Sequence, residues 1–105
     1  MIKITVMYAH REGARFDFDY YLSSHVPMVR KFLGAACLRC EVDRGFAPGA
    51  SGQAPAYVAM AHFYCHSIED FQSALEPHQP RIRDDVANYT DLQPIRHFSE
   101  IHVCP

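Results

Sequence analysis

Apolar positions in residues 17–32 recur at helical spacing. Wound as a helix, this segment sets Phe18, Tyr21, Leu22, Val29 and Phe32 on one stripe, the pattern of a core-facing surface. His25 falls in the middle of that stripe, where an aliphatic residue would avoid the cost of burying an imidazole. Asp17 can cap the helix and Gly34 can stop it. Pro27 displaces the Ser23 carbonyl from the helical ladder, which predicts a kink or split beside the histidine. Ser67-Ile68-Glu69-Asp70 has the capping pattern that opens a second helix, with Ile68, Phe71 and Leu75 as its stripe. His78 continues that stripe beyond Pro77, although Pro77 and Pro80 leave its direction open. A short helical stretch over residues 81–86 leads into Asn88-Tyr89-Thr90-Asp91.

Four segments read as strands: residues 2–8, 38–46, 56–64 and 92–103. Residues 47–55 are rich in Gly and Pro and are expected to be the most mobile connection. The order is β-α-β-β-α-β over a single domain, residues 1–105. It predicts an α+β, ferredoxin-like fold: a four-stranded antiparallel sheet with two main helices on one face. In the third strand, Tyr57, Ala59, Ala61 and Phe63 point one way, and Val58, Met60, His62 and Tyr64 the other. Neither set is a solvated polar face. The helix-free side therefore wants a cover, and a second copy of the chain is the natural one, making a homodimer whose sheets face each other as a barrel.

Composition narrows the partners. A formal charge of −2 gives no electrostatic case for nucleic acid or an anionic membrane. No apolar run approaches the roughly 18 residues of a spanning helix. Residues 1–6 read as strand rather than as an export signal, so a cytoplasmic location is expected, with Cys37, Cys40, Cys65 and Cys104 as free thiols. Cys37-Leu38-Arg39-Cys40 spells C-x-x-C at a strand entrance, where the two thiols would point to opposite faces. No second pair completes a zinc site. His62 and His66 would align as ligands only on a helix, and this segment leaves a strand.

Several strings together resemble one family. They are the opening strand, then Phe16-Asp17-Phe18-Asp19-Tyr20-Tyr21 with His25 and Pro27. Pro55-Ala56-Tyr57-Val58-Ala59, Ser67-Ile68-Glu69-Asp70-Phe71, Pro77-His78 and Asn88-Tyr89-Thr90 follow. Across essentially its whole length the chain resembles the EthD family of dimeric α+β barrels, named after a component of ethyl tert-butyl ether degradation clusters. The resemblance implies a small-molecule pocket between helices and sheet without choosing a reaction. Similar barrels include cofactor-free isomerases, decarboxylases, dehydratases and oxygenases, and some members are known only as accessory proteins.

On that basis His25 is the leading general acid/base. Periodicity points it inward, and the resemblance places a histidine at this position. His78 and Tyr57 are the companion catalytic candidates, and Tyr21, Asn88 and Tyr89 the substrate-binding ones. Packing alone also accounts for each of them. The expected activity is cofactor-free, metal-free proton transfer on an apolar oxygenated molecule, of isomerase, dehydratase or decarboxylase type. The alternative is a non-catalytic accessory protein that holds a hydrophobic intermediate for a partner oxygenase system.

Overall fold

Strand β1 (Ile2–Ala9) is built from β-branched residues and runs through the centre of the sheet. It pairs antiparallel with β3 (Tyr57–Cys65) on one side and β4 (Ile95–Glu100) on the other, while β2 (Arg39–Arg44) pairs antiparallel with β3. The strand order is β2-β3-β1-β4. The computed structural model describes residues 1–47 and 52–104. The expected mobile connection, 47–55, lies partly outside the described residues.

The first helical run has three parts. Asp17 accepts a hydrogen bond from the Tyr20 amide and opens α1 (Phe18–Tyr20). A π-helical turn, Tyr21–His25, follows, and α2 (Val26–Leu33) completes the run. The Val26 amide bonds the Tyr21 carbonyl, an i→i+5 closure, and Pro27 has no amide to restore the α ladder. The expected break beside His25 is therefore a π turn. Its extra residue also corrects one expectation: Leu22 is 49% exposed, because the wider turn swings it off the apolar stripe. Gly34 caps α2 at φ 52°, a left-handed conformation that suits glycine.

Ser67 accepts from the Asp70 amide and caps α3 (Ile68–Leu75). Pro77 and Pro80 then sit in the first turns of a 3₁₀ segment (Glu76–His78) and of α4 (Gln79–Asp85), where a missing amide costs nothing. The helices pack Val29, Leu33, Phe71 and Leu75 onto Ile4, Ala59, Ala61 and Phe63 of the sheet. Ala59 and Ala61 are the small residues that let helix and sheet approach.

The strands differ from expectation in three places. β2 is shorter at both ends, and Phe46 stands in solvent. Pro94 delays β4, so Leu92 is buried in the loop before it and Val103 lies beyond it. The β1–β3 register shifts between Tyr8 and Ala9, which pairs Tyr57 with the outward Ala9 rather than with His10, two residues on from the inward Tyr8. Tyr57 is consequently 36% exposed. Cys37 and Cys40 also depart from expectation. Both pack against the core, because Cys37 precedes β2 and escapes strand alternation.

The helix-free sheet face is more polar than β3 alone suggests. Glu41, His62, Thr5 and His97 stand side by side in register across it. His62 joins Thr5 at 3.0 Å and Asp43 at 2.7 Å, and the Tyr64 hydroxyl donates to Glu41 at 2.8 Å. Met7, Met60 and Ile95 form an apolar row beside them. No helix of the described residues is long and apolar enough to cross a membrane.

Candidate functional site

A cavity of about 440 Å³ opens between the helices and the sheet. Its walls are mainly apolar, with Val6, Val29, Phe63, Phe71 and Leu75 among them. His25, Tyr21, Tyr8 and Tyr89 line one wall, and Gln79 and Arg96 belong to the same lining.

His25 reaches this wall from the end of the π turn and is only 5% exposed. Its Nδ1 lies 2.8 Å from Asp85 Oδ2, at the end of α4. The Asp85 carboxylate only accepts, so Nδ1 carries the proton and donates. On the neutral ring, Nε2 is then an acceptor. The Tyr89 hydroxyl, 3.3 Å away, donates to it. The Tyr89 oxygen in turn accepts from the Tyr8 hydroxyl at 2.7 Å. Four side chains thus make one directed chain: Tyr8 to Tyr89 to His25 to Asp85.

Electrostatics fix its resting state. Burial pushes the His25 pKa below its ordinary 6.5 despite the opposing pull of Asp85, so the imidazole is neutral at pH 7. Burial alone would raise the Asp85 carboxyl. Hydrogen bonds from Tyr20, Asn88 and His25 outweigh it and hold the group below its ordinary value. Burial drives Tyr8, Tyr21 and Tyr89 well above the usual phenol range, so all three keep their protons.

The support around this chain is specific. Asp85 Oδ1 accepts from the Tyr20 hydroxyl at 2.6 Å and from the Asn88 amide at 3.0 Å. The Tyr21 ring lies nearly parallel to His25, with 5.7 Å between centroids. Tyr89 is locked through its backbone. Its carbonyl accepts from the Asp17 amide at 2.7 Å, and the Arg15 guanidinium donates to the carbonyls of Ala87 and Asn88. Thr90 completes the clamp by donating to the Arg15 carbonyl at 2.7 Å.

Of the residues singled out from sequence, His25, Tyr21 and Tyr89 meet at the cavity. Asn88 stands one layer behind, on Asp85. Tyr57 and His78 do not line this cavity. Tyr57 is turned away by the register shift. His78 stacks on Phe32 with 3.8 Å between ring centroids, in a separate groove with Ser24, Lys31 and Arg81. The 3₁₀ turn between the two prolines carries it there. Sequence reasoning missed Tyr8, Tyr20, Asp85, Gln79 and Arg96. Among the described residues no three His, Cys, Asp or Glu side chains converge as metal ligands would. Burial raises the Cys37 and Cys40 thiols, which opposes a reactive thiolate at that pair.

Comparison with known proteins agrees with this fold. The EthD domain profile matches residues 12–93. An EthD-like protein from Ralstonia eutropha JMP134 is 49% identical over 97% of this chain and 92% of its own, with a TM-score of 0.91. An ethyl tert-butyl ether degradation (EthD) family protein from Bacillus halodurans C-125 is 21% identical over 97% of this chain and 99% of its own, with a TM-score of 0.69. A dimeric protein of ferredoxin-like fold from Bacteroides fragilis NCTC 9343 shares the architecture at 13% identity, over 95% of each chain, with a TM-score of 0.54. No curated protein matches the sequence. A profile match over most of the chain, joined to a relative 49% identical along nearly all of it, places this chain in the EthD family.

Proposed function

We propose that this chain is a cofactor-independent enzyme that moves a proton on an apolar, oxygenated small molecule, with His25 as the acid/base. The observation that carries the reading is the directed chain from Tyr8 through Tyr89 and His25 to Asp85, ending at a mostly apolar cavity. Asp85 positions His25 by holding Nδ1–H, which leaves Nε2 as the basic atom. A C–H bond next to a carbonyl gives its proton to Nε2, directly or through Tyr89, whose own proton moves to Nε2 as it takes the substrate's. The bonding electrons pass to the carbonyl oxygen as an enolate. The imidazolium that forms is paired with the Asp85 carboxylate. Returning the proton to a different carbon gives an isomer, with no net gain or loss of protons. Loss of a β-hydroxyl from the enolate, protonated as it leaves as water, would give dehydration. Decarboxylation would use the same histidine as the acid.

In this proposal Tyr21 keeps the ring aligned and Asn88 braces the carboxylate. Tyr57 and His78 take no part. The working unit is a homodimer joined through the helix-free sheet face, whose polar side chains are largely satisfied and whose apolar row seats a second copy. A second reading has two observations in its favour. The two inner hydroxyls already bond each other and the cavity walls are mostly apolar, as suits a protein that shelters a hydrophobic intermediate for an oxygenase partner.

Deuterium uptake decides between them. A panel of enolisable ketones and lactones is incubated with the protein in deuterated buffer and followed by NMR. The enzyme reading expects exchange well above the buffer rate, lost on the order of 10²–10⁴-fold in His25→Gln. Binding of the panel without exchange would leave the sheltering role.

A further inference from the structure

Arg96 is the unexplained group at this cavity. It stands on β4 beside Val6, on the sheet face covered by the helices. Its guanidinium lies 5.7 Å from the Phe71 ring centroid, and one Nη2–H donates to Gln79 Oε1 at 3.1 Å. Among the described residues no carboxylate stands within ion-pair distance of it. Gln79 and Phe71 brace it and leave its charge unmatched. Arg96 is exposed and stands at the open side of the cavity, and partial burial there lowers its pKa. A guanidinium at the rim of an apolar cavity, with no carboxylate of its own, is free to take one from a ligand.

The rest of the lining does not repair the imbalance. Arg83 is a second cation on it. Asp91 is the one carboxylate on it, and it is engaged with Arg15, whose backbone amide donates to it at 3.0 Å. The other polar groups on the wall are neutral. The cavity therefore carries a net positive charge facing apolar surface. A planar guanidinium that lies over the Phe71 ring and makes one side-chain bond keeps further N–H donors for a planar anion.

We infer that Arg96, held by Gln79 and Phe71, anchors the carboxylate of an apolar organic acid in this cavity. The inference deepens the proton-transfer reading by naming the ligand class: a hydrophobic body with one carboxylate. The carboxylate is bound at Arg96 while the body extends along the apolar wall.

The test uses 2-naphthoate and its neutral isostere 2-naphthamide, titrated into the intact protein and followed by calorimetry and by NMR shifts. Naphthoate is expected to bind more tightly than the amide, with shifts at Tyr8, Phe71 and Tyr89. Arg96→Gln should weaken naphthoate on the order of 10–100-fold, as loss of a charge-assisted pair does, and leave the amide unchanged. Gln79→Leu should weaken naphthoate less, because the brace is lost but the charge stays. Equal binding of acid and amide to the wild-type protein would overturn the anchor without recourse to any variant. So would a larger loss in Arg83→Gln than in Arg96→Gln, or shifts confined to the Lys31 and Arg81 groove. His25→Gln separates this inference from the catalytic one. It should keep the acid-over-amide preference whether or not it exchanges deuterium, and loss of that preference would assign the anion to His25 instead.

Discussion

His25 Nδ1 and Asp85 Oδ2 meet at 2.8 Å although 60 positions of sequence separate them. The contact joins the π turn to the end of α4, and both partners are largely withdrawn from water. It decides which ring nitrogen is left to act as a base.

The pair gives stability a defined pH dependence. In the folded state His25 has a pKa below its ordinary 6.5, so the unfolded chain takes up that proton first as pH falls. Stability should therefore drop as pH falls from 6.5 toward the folded value. Asp85 sits below its ordinary 3.8 and adds a second loss as pH falls through its own folded value. Urea unfolding across pH 3–8 checks this. His25→Gln should erase the upper step and keep the lower one.

Asp85→Asn should lower turnover on the order of 10–100-fold, because an amide no longer enforces Nδ1–H and no longer pairs the imidazolium. The NMR signals of the His25 ring should report the tautomer directly. An unchanged tautomer with unchanged turnover would remove Asp85 from the mechanism.

Tyr89→Phe cuts the chain at its middle. It strands the Tyr8 hydroxyl and His25 Nε2 in a buried wall, which costs about 1–3 kcal/mol of stability. Tyr8→Phe should cost less, since Tyr89 keeps His25 as its acceptor. The double variant should cost less than the sum, and a double-mutant cycle measured by denaturation reads that coupling.

Gly45→Ala should destabilise the β2–β3 hairpin by about 1–3 kcal/mol, the range for forced overpacking. A Cβ at position 45 would lie 1.9 Å from the Tyr57 carbonyl oxygen, so the strands would have to part. Thermal unfolding measures the loss, and an unchanged midpoint would mean the hairpin end opens freely.

The proposed dimer predicts a sedimenting species of twice the chain mass at micromolar concentration, with roughly 2,000 Å² or more buried in total. Met60→Asp, in the apolar row of the helix-free face, should convert it to monomer. A wild-type monomer that stays well folded would rule out the barrel.

The element order was legible because its signals are local. Asp17 and Ser67 cap, Gly34 stops, and apolar spacing marks the buried stripes. His25 was legible for the same reason. Asp85 was not: it sits in Arg83-Asp84-Asp85, which has the charge pattern of a solvated helix face, and only the tertiary approach of α4 to the π turn gives it a partner. Tyr8 was absorbed into a strand pattern that says nothing about its hydroxyl. Tyr57 failed because strand alternation assumes unbroken register, and a single irregularity at Tyr8/Ala9 reverses the side chain's direction. Arg96 was hidden in the same way, since an arginine on an edge strand ordinarily faces water.

The π turn makes the site an insertion frozen into the chain. Five residues close a ring that four would close in an α-helix, so Tyr21–His25 holds one position more than an unbroken helix needs. Removing one residue there would restore ordinary winding and leave α1 in place relative to α2, because five residues in the wider turn sweep nearly the same angle as four in an α-helix. The Asp17 cap and the Phe16–Thr90 bridge would keep their partners. In an alignment of relatives, a one-residue gap at this turn would therefore mark the same helical path without its insertion, with the spacing from Tyr21 to His25 one shorter.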